Sequence, residues 1–385
     1  MTYMAQRISN FGASIFIEMT NLANQHNAVN LGQGFPDFAG PDFLKQAAID
    51  AIRADVNQYA PSPGRPALRQ AIADKMARFY GLPVNPNTEV VVTCGATEAL
   101  FAAILGLVNP GDEVIIVEPF YDSYVPAVQI AGGIPRFYTL RPPDWQINPD
   151  ELAALFSEKT KLFLFNTPHN PTGKVYNEDE LRLIADLCIT HDVIAVSDEV
   201  YEHIIFDGCQ HRCLATVPGM ANRTVTISSS GKTFSMTGWK VGWAIGVPEL
   251  AQAVLRTHQF MVFCGAAPLQ EGVAAALKAT DDYYDRLIET YQSNRDFLAA
   301  ALSQAGLTPI IPQGTYFMMT DISRLGFADD VEFCRHLVTE VGVAAIPPSV
   351  FYHNPADGAT LARFAFCKSP HVLEEAANRL VNLKL

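Results

Sequence analysis

The 385 residues are 49% hydrophobic and 17% charged, with 27 basic against 40 acidic side chains and a net charge of −13. That length supports two domains around separate cores, and so acidic a chain excludes nucleic acid or an anionic membrane as a partner held by basic stripes. No apolar run approaches the roughly 20 residues of a membrane span, MTYMAQRISNFGASIF has no signal-peptide pattern, and seven scattered cysteines suit reduced thiols in a cytoplasm.

Between about residues 88 and 230, short β-rich runs alternate with helical patterns. EVVVTCG (89–95) leads into ATEALFAAILGLV (96–108), and DEVIIVEP (112–119) into a helical YDSYVPAVQIAG (121–132). KLFLFNTP (161–168) precedes the amphipathic EDELRLIADLCITH (178–191), and VIAVSDEVY (193–201), TVTISSSG (224–231) and VGWAIGV (241–247) follow. Apolar strands separated by helix-length crossovers predict an α/β fold with a mostly parallel sheet covered on both faces. After residue 275 the texture changes. A long helix is expected over 283–306, then TPIIPQGTYFMMTDI (308–322), a helix near 329–342, strand-like VAAIPPS and ARFAFCK, and a last helix in SPHVLEEAANRLVNL. The expected division is a large domain, 41–275, and a smaller α+β domain, 276–385, with residues 1–40 packing on the latter.

In such sheets ligands bind beyond the carboxyl ends of the strands. The polar residues there are Gly95 and Thr97, Tyr121, Asn170, Asp198 with Tyr201, and Ser229 with Lys232. The stretch SSSGKTFSMTGWKVGW (228–243) sets Lys232 and Lys240 among hydroxyls and glycines with no acid nearby, as if both met a ligand that brings negative charge. TCGATEAL turns a strand into a helix whose N-terminus suits a phosphate, and Ser229 and Lys240 would complete the cradle. A lysine beside another cation in a partly dry site has a depressed pKa and attacks aldehydes, which is the part left for Lys232. Asp198 could hold a proton on a pyridine nitrogen, and Asn170 and Tyr201 could hydrogen-bond a phenolic oxygen. Phosphate, aldehyde, pyridine and phenol are the parts of pyridoxal 5'-phosphate. No GxGxxG or Walker A loop competes for the site. Cys209-Gln-His211-Arg-Cys213 lacks the second pair of ligands that a zinc site needs, so it reads as a loop and no metal is expected. Each residue alone has a plainer reading: turn, helix cap, core ring or surface charge.

SSSGKTFSMTGWKVGW, NTPHNPTG and SDEVY, together with VNLGQGFPDF near the start and ARFAF near the end, resemble the fold-type I, class I aminotransferases over nearly the whole chain. GQGFPDF, NQYAP, QGTYF and AAIPPSVFY are similar to the branch that holds kynurenine aminotransferase, glutamine transaminase K and bacterial methionine aminotransferase. The resemblance implies Schiff-base exchange at Lys232, which then carries the 1,3-proton shift, and a pyridine proton held by Asp198. It implies that Tyr201 and Asn170 bind the phenolic oxygen, that Gly95, Ala96, Thr97, Ser229 and Lys240 line the phosphate, and that Tyr121 stacks on the ring. Arg363 would pair with the substrate carboxylate, helped by Asn170 and the Gly34 backbone, and Phe16 would be a substrate wall beside Tyr121 and the Phe351–Tyr352 pair. Tyr59 would reach the phosphate of a neighbouring subunit in a homodimer. Cys264 stands where the branch often has a histidine from the partner. The expected substrates are a neutral bulky L-amino acid (methionine, an aromatic residue, glutamine or kynurenine) and a 2-oxo acid. A β-lyase acting on cysteine S-conjugates or cystathionine would share almost every residue, and a non-catalytic cofactor-binding regulator would need an appended segment.

Overall fold

Runs of β-branched and aromatic residues buried on both faces make the centre of the molecule, of which the computed structural model describes residues 3–9, 11–12 and 15–383. Its strands are β1 (Val29–Asn30), β2 (Val90–Thr93), β3 (Glu113–Glu118), β4 (Ile134–Thr139), β5 (Thr160–Asn166) and β6 (Ile194–Asp198). They continue with β7 (Thr224–Ser229), β8 (Gly242–Ile245), β9 (Thr308–Ile310), β10 (Phe317–Asp321), β11 (Val343–Ala344) and β12 (Leu361–Ala365). Seven strands form one sheet in the order β2-β8-β7-β6-β5-β3-β4. All its pairings are parallel except those of β8, which runs against both β2 and β7. The carboxyl ends of β2, β3, β5, β6 and β7 therefore open on one side.

The first helices are α1 (Ile15–Gln25), α2 (Asp42–Arg53), α3 (Pro66–Tyr80) and α4 (Ala96–Leu107). Helix α3 starts with Pro66 at its first turn and stops at Gly81, whose φ of 62° ends the helix in the left-handed conformation. The helix Glu178–Thr190 begins on a reciprocal capping box between Asn177 and Glu180. Such caps satisfy amide groups that the first turn leaves without partners.

A second core gathers α1 and β1 with residues 287–383, including Tyr291, Phe333 and Phe364. β1 pairs in parallel with β11, and β12-β10-β9 form an antiparallel sheet beside it. The sequence pattern missed β4, an edge strand containing Pro135 whose alternating exposure hides its apolar character. The region 308–322 divides into two strands, and the helix expected to 342 changes from α to π geometry at Leu337–Val341. VAAIPPS contributes only two strand residues, because its two prolines lack the amide that a ladder needs. No helix among the described residues is long and apolar enough to cross a membrane.

Candidate active site

The five strand ends surround a cavity of about 320 Å³, within the range of small-molecule sites. Thirteen of the sequence-derived residues line it. Gly95, Ala96 and Thr97 come from the turn into α4; Tyr121 follows β3; Asn170 follows β5. Asp198 and Tyr201 come from the end of β6 and the turn after it, and Ser229, Lys232 and Lys240 from β7 and the segment beyond. The second core supplies Phe16, Gly34 and Arg363. Tyr59 is not brought in: it is 85% exposed, with its ring edge-on to Phe263 at 5.4 Å. Phe351 and Tyr352 are buried but do not line the cavity, and neither does Cys264. Phe351 packs behind the wall, 5.9 Å from the Phe16 ring.

One end of the cavity is built for an anion. Gly95 caps α4 with a φ of 82°, and a Cβ there would come within 3.1 Å of the Lys240 Nζ. The absent side chain leaves the lysine and the first amides of α4 facing one space, the arrangement that holds a phosphate. Gly242 serves the same approach, since a Cβ on it would meet the Gly95 carbonyl carbon at 2.5 Å.

Lys232 lies deeper. Its Nζ is 5.4 Å from the Tyr201 ring centroid and 5.5 Å from that of Tyr316. Burial brings its pKa down to about 8, with Arg363 and Lys240 adding to the fall and Cys367 and Asp198 opposing it. A good share of the amine is then neutral and nucleophilic near physiological pH. Asp198 ends β6 at 4% exposure. Burial raises its pKa to about 6, against hydrogen bonds from the Tyr124 hydroxyl (2.7 Å to Oδ2) and the Val200 amide. A buried carboxylate held at Oδ2 by the Tyr124 hydroxyl and at Oδ1 by the longer bond from the Val200 amide (3.4 Å) keeps acceptor capacity for a protonated ring nitrogen.

Arg363 reaches in from β12, 1% exposed, between the rings of Phe317 (4.1 Å), Phe351 (5.1 Å) and Phe16 (5.2 Å). It donates to Asn170 Oδ1 at 3.2 Å and to the Gly32 carbonyl at 2.9 Å, while its Nε is buried without a partner. Burial lowers its pKa to about 10. A dry, under-satisfied guanidinium is a receptor for a carboxylate.

Several contributors carried no role in the sequence reading. Asn166, at the end of β5, accepts from the Asn170 amide at 2.6 Å and donates to the Asp198 carbonyl at 2.7 Å, so it ties the two strand ends together. Gln33 donates to the Phe16 carbonyl (3.1 Å) and Thr20 Oγ1 (2.6 Å), mooring α1 against the cavity. Tyr316 packs edge-on against Tyr201, and its hydroxyl donates to the Gly34 carbonyl at 2.7 Å. Tyr124 lies three residues beyond Tyr121 in a run scored only as helical, so spacing alone left its partner hidden. His211 bonds to Glu199 at 2.8 Å, and among the described residues no group of three or more His, Cys, Asp or Glu is placed to hold a metal ion.

The donor set fits pyridoxal phosphate: an anion cradle, a buried amine of lowered pKa, a carboxylate for the ring nitrogen and hydroxyl and amide groups for the phenolic oxygen. Residues 26–380 match the family described as aminotransferase class I and II. The chain is 44% identical over 425 residues to a kynurenine–oxoglutarate transaminase of Dictyostelium discoideum, covering 100% of this chain and 98% of the relative. Among solved structures, a methionine aminotransferase of Escherichia coli superposes with a TM-score of 0.95 at 41% identity, covering 99% of this chain and 100% of that one. The N-succinyldiaminopimelate aminotransferase of Mycobacterium tuberculosis does so with a TM-score of 0.96 at 45% identity, over 99% and 100% of the two chains. Identity at this level over the full length, together with the cradle and the buried lysine, places the chain in the class I and II aminotransferases, fold-type I enzymes that use pyridoxal phosphate to exchange amino groups between amino acids and 2-oxo acids.

Proposed function

We propose that the chain transfers the amino group of a neutral, bulky L-amino acid, methionine or an aromatic residue above all, to a 2-oxo acid. Arg363 carries this reading. It is the only arginine among the described residues lining the cavity, and its neighbours are phenylalanine rings. One guanidinium serves the α-carboxylate, and the side chain beyond meets Phe16, Tyr121 and Phe317. A thioether packs well against aromatic edges, and each buried CH₂ contributes roughly 0.8 kcal/mol. The relatives named for methionine and kynurenine transamination support the same class.

Bound pyridoxal phosphate supplies an aldehyde for an amino group and a ring that accepts the electron pair released from Cα. The chain's own residues do the rest. Lys240, Ser229 and the amides at Gly95–Thr97 would hold the phosphate. Asp198 keeps the ring nitrogen protonated, steadied by Tyr124. Tyr201 and Asn170 would hydrogen-bond the phenolic oxygen, and Tyr121 would flank the ring. Lys232, whose amine would hold the aldehyde in the resting enzyme, would be the base that takes the proton from Cα and the acid that returns it for the 1,3-shift. We place the working enzyme in a homodimer with Tyr59 contributed across the interface, divided within each chain at about residues 40 and 275. All seven cysteines are free, which suits a reducing cytoplasm.

Steady-state kinetics with one keto acid acceptor and two donors test the reading. An aspartate side-chain carboxylate would be buried without a cation, at a cost of several kcal/mol. The kcat/KM for methionine should exceed that for aspartate by at least about a hundredfold, near 3 kcal/mol of transition-state difference. Comparable efficiencies would mean that a second cation reaches the pocket, and would end the proposal. Ammonia release from cysteine S-conjugates, measured alongside, separates transamination from β-elimination at the same site.

A further inference from the structure

A buried ion pair, Lys75 and Glu202, stands outside the cavity lining but next to it in the chain. Lys75 on α3 and Glu202, the residue after Tyr201, are 3% and 5% exposed and bonded to each other. The same carboxylate accepts hydrogen bonds from the Tyr80 hydroxyl at the end of α3 and, at 2.5 Å, from Ser228 Oγ on β7. His203 follows Glu202 and Glu199 lies three residues before it; His211 and Arg78 stand nearby.

Removing both charges from water costs several kcal/mol per ion, and a well-packed apolar pair would be at least as stable. Stability alone does not account for the arrangement, but position does. The β6–β7 ladder ends at Asp198↔Ile227, followed by a last bond from the Glu199 amide to the Ile227 carbonyl at 2.7 Å. Beyond that point one segment turns through Tyr201 and the other runs through Ser229 to Lys232. The Ser228–Glu202 bond ties them together where the backbone ladder has stopped. Lys75 and Tyr80 hold the carboxylate from the opposite side.

We propose that Glu202 is a positioning residue, setting through Ser228 the spacing between the Asp198–Tyr201 turn and the strand end that carries Lys232. Lys232 Nζ sits 5.4 Å from the Tyr201 ring, so a slip between the two segments changes how the phenol and the amine share the reacting atoms. The inference rests on the family's cofactor chemistry and is independent of the preferred donor.

The test uses the holoenzyme and four variants: Ser228→Ala, Glu202→Gln, the double variant of these two, and Tyr80→Phe. The measurements are a pH titration of the visible absorbance of the lysine–cofactor linkage, kcat and KM for one donor, and Tm. A displacement approaching an ångström at reacting groups costs rate steeply. Ser228→Ala should therefore lower kcat about tenfold with KM within about twofold, and displace the absorbance midpoint by about half a pH unit or more. Glu202→Gln keeps an acceptor for Ser228 but loses the charge that strengthens the bond, so it should move both readouts in the same direction as Ser228→Ala, and the double variant should add little to Ser228→Ala because both act on one tie. Tyr80→Phe breaks a bond on the α3 side only and should lower Tm while leaving the midpoint in place. If Glu202→Gln does not fold, Ser228→Ala decides alone. Lowered Tm with wild-type midpoint and kcat in Ser228→Ala would overturn the proposal, as would a midpoint shift in Tyr80→Phe as large as that in Ser228→Ala.

Discussion

Lys232 owes its reactivity to burial. The ordinary lysine pKa of 10.5 falls to about 8 here, so the neutral amine becomes abundant two to three units earlier than in water. Cofactor uptake by the apoprotein, followed as the rise of the visible band after mixing, should speed up as pH increases through about 8 and then level off. A rise continuing beyond pH 10 would contradict that environment. Lys232→Ala should still retain cofactor through the phosphate cradle and Asp198 but lose the protein-linked band. Its transamination should fall by several orders of magnitude, since nucleophile and proton carrier go together. Asp198 works in the opposite sense: burial raises its pKa to about 6, and only the ionised form holds a pyridine proton. Tyr124→Phe removes a hydrogen bond that favours the carboxylate, on the order of 1.5–3 kcal/mol for a charged acceptor. Cofactor affinity of that variant should drop most below about pH 7 and recover toward wild type as pH rises, as equilibrium binding at several pH values would show.

Individual elements contribute through their ends. Helix α4 could offer a phosphate its first amides because Gly95 takes a φ of 82°, which an L side chain resists. Gly95→Ala brings a Cβ to 3.1 Å from Lys240 Nζ in addition to that strain. It should weaken cofactor retention by about 1–3 kcal/mol, read as faster cofactor loss on dilution with little change in Tm of the apoprotein. TCGATEAL shows how much a sequence says at this scale. A strand, a glycine and a helix are visible in eight letters, whereas the approach of Lys240, more than 140 positions away, is not. β4 escaped notice for the converse reason: an exposed edge strand has no continuous apolar run to announce it.

At the scale of the whole molecule, Tyr59 stands 85% exposed on a surface that also presents Phe260 at 85% and Phe263 at 49%. Apolar rings exposed together mark a surface that another molecule covers, which fits a composite dimer site. Tyr59→Phe should then weaken cofactor retention by about 1.5–3 kcal/mol, the value of one charge-assisted hydrogen bond. Mixing inactive Lys232→Ala subunits with subunits inactivated at Tyr59 should restore part of the activity through heterodimers. A fully active monomer in sedimentation would refute the arrangement.

The sequence by itself determined the strand ends and which chemical groups stand on them, because strand, turn and helix are local choices written in neighbouring residues. Lys232, Asp198 and Asn170 were legible on that basis together with the family motifs, and Arg363 through the motifs alone. Only the tertiary structure decided the partners: Tyr124 on Asp198, Asn166 between two strands, three phenylalanines around Arg363, and Glu202 under the catalytic turn. Those contacts join segments tens to hundreds of residues apart. Their energies depend on burial and on distances of a few ångströms, and neither quantity exists until the chain has closed on itself.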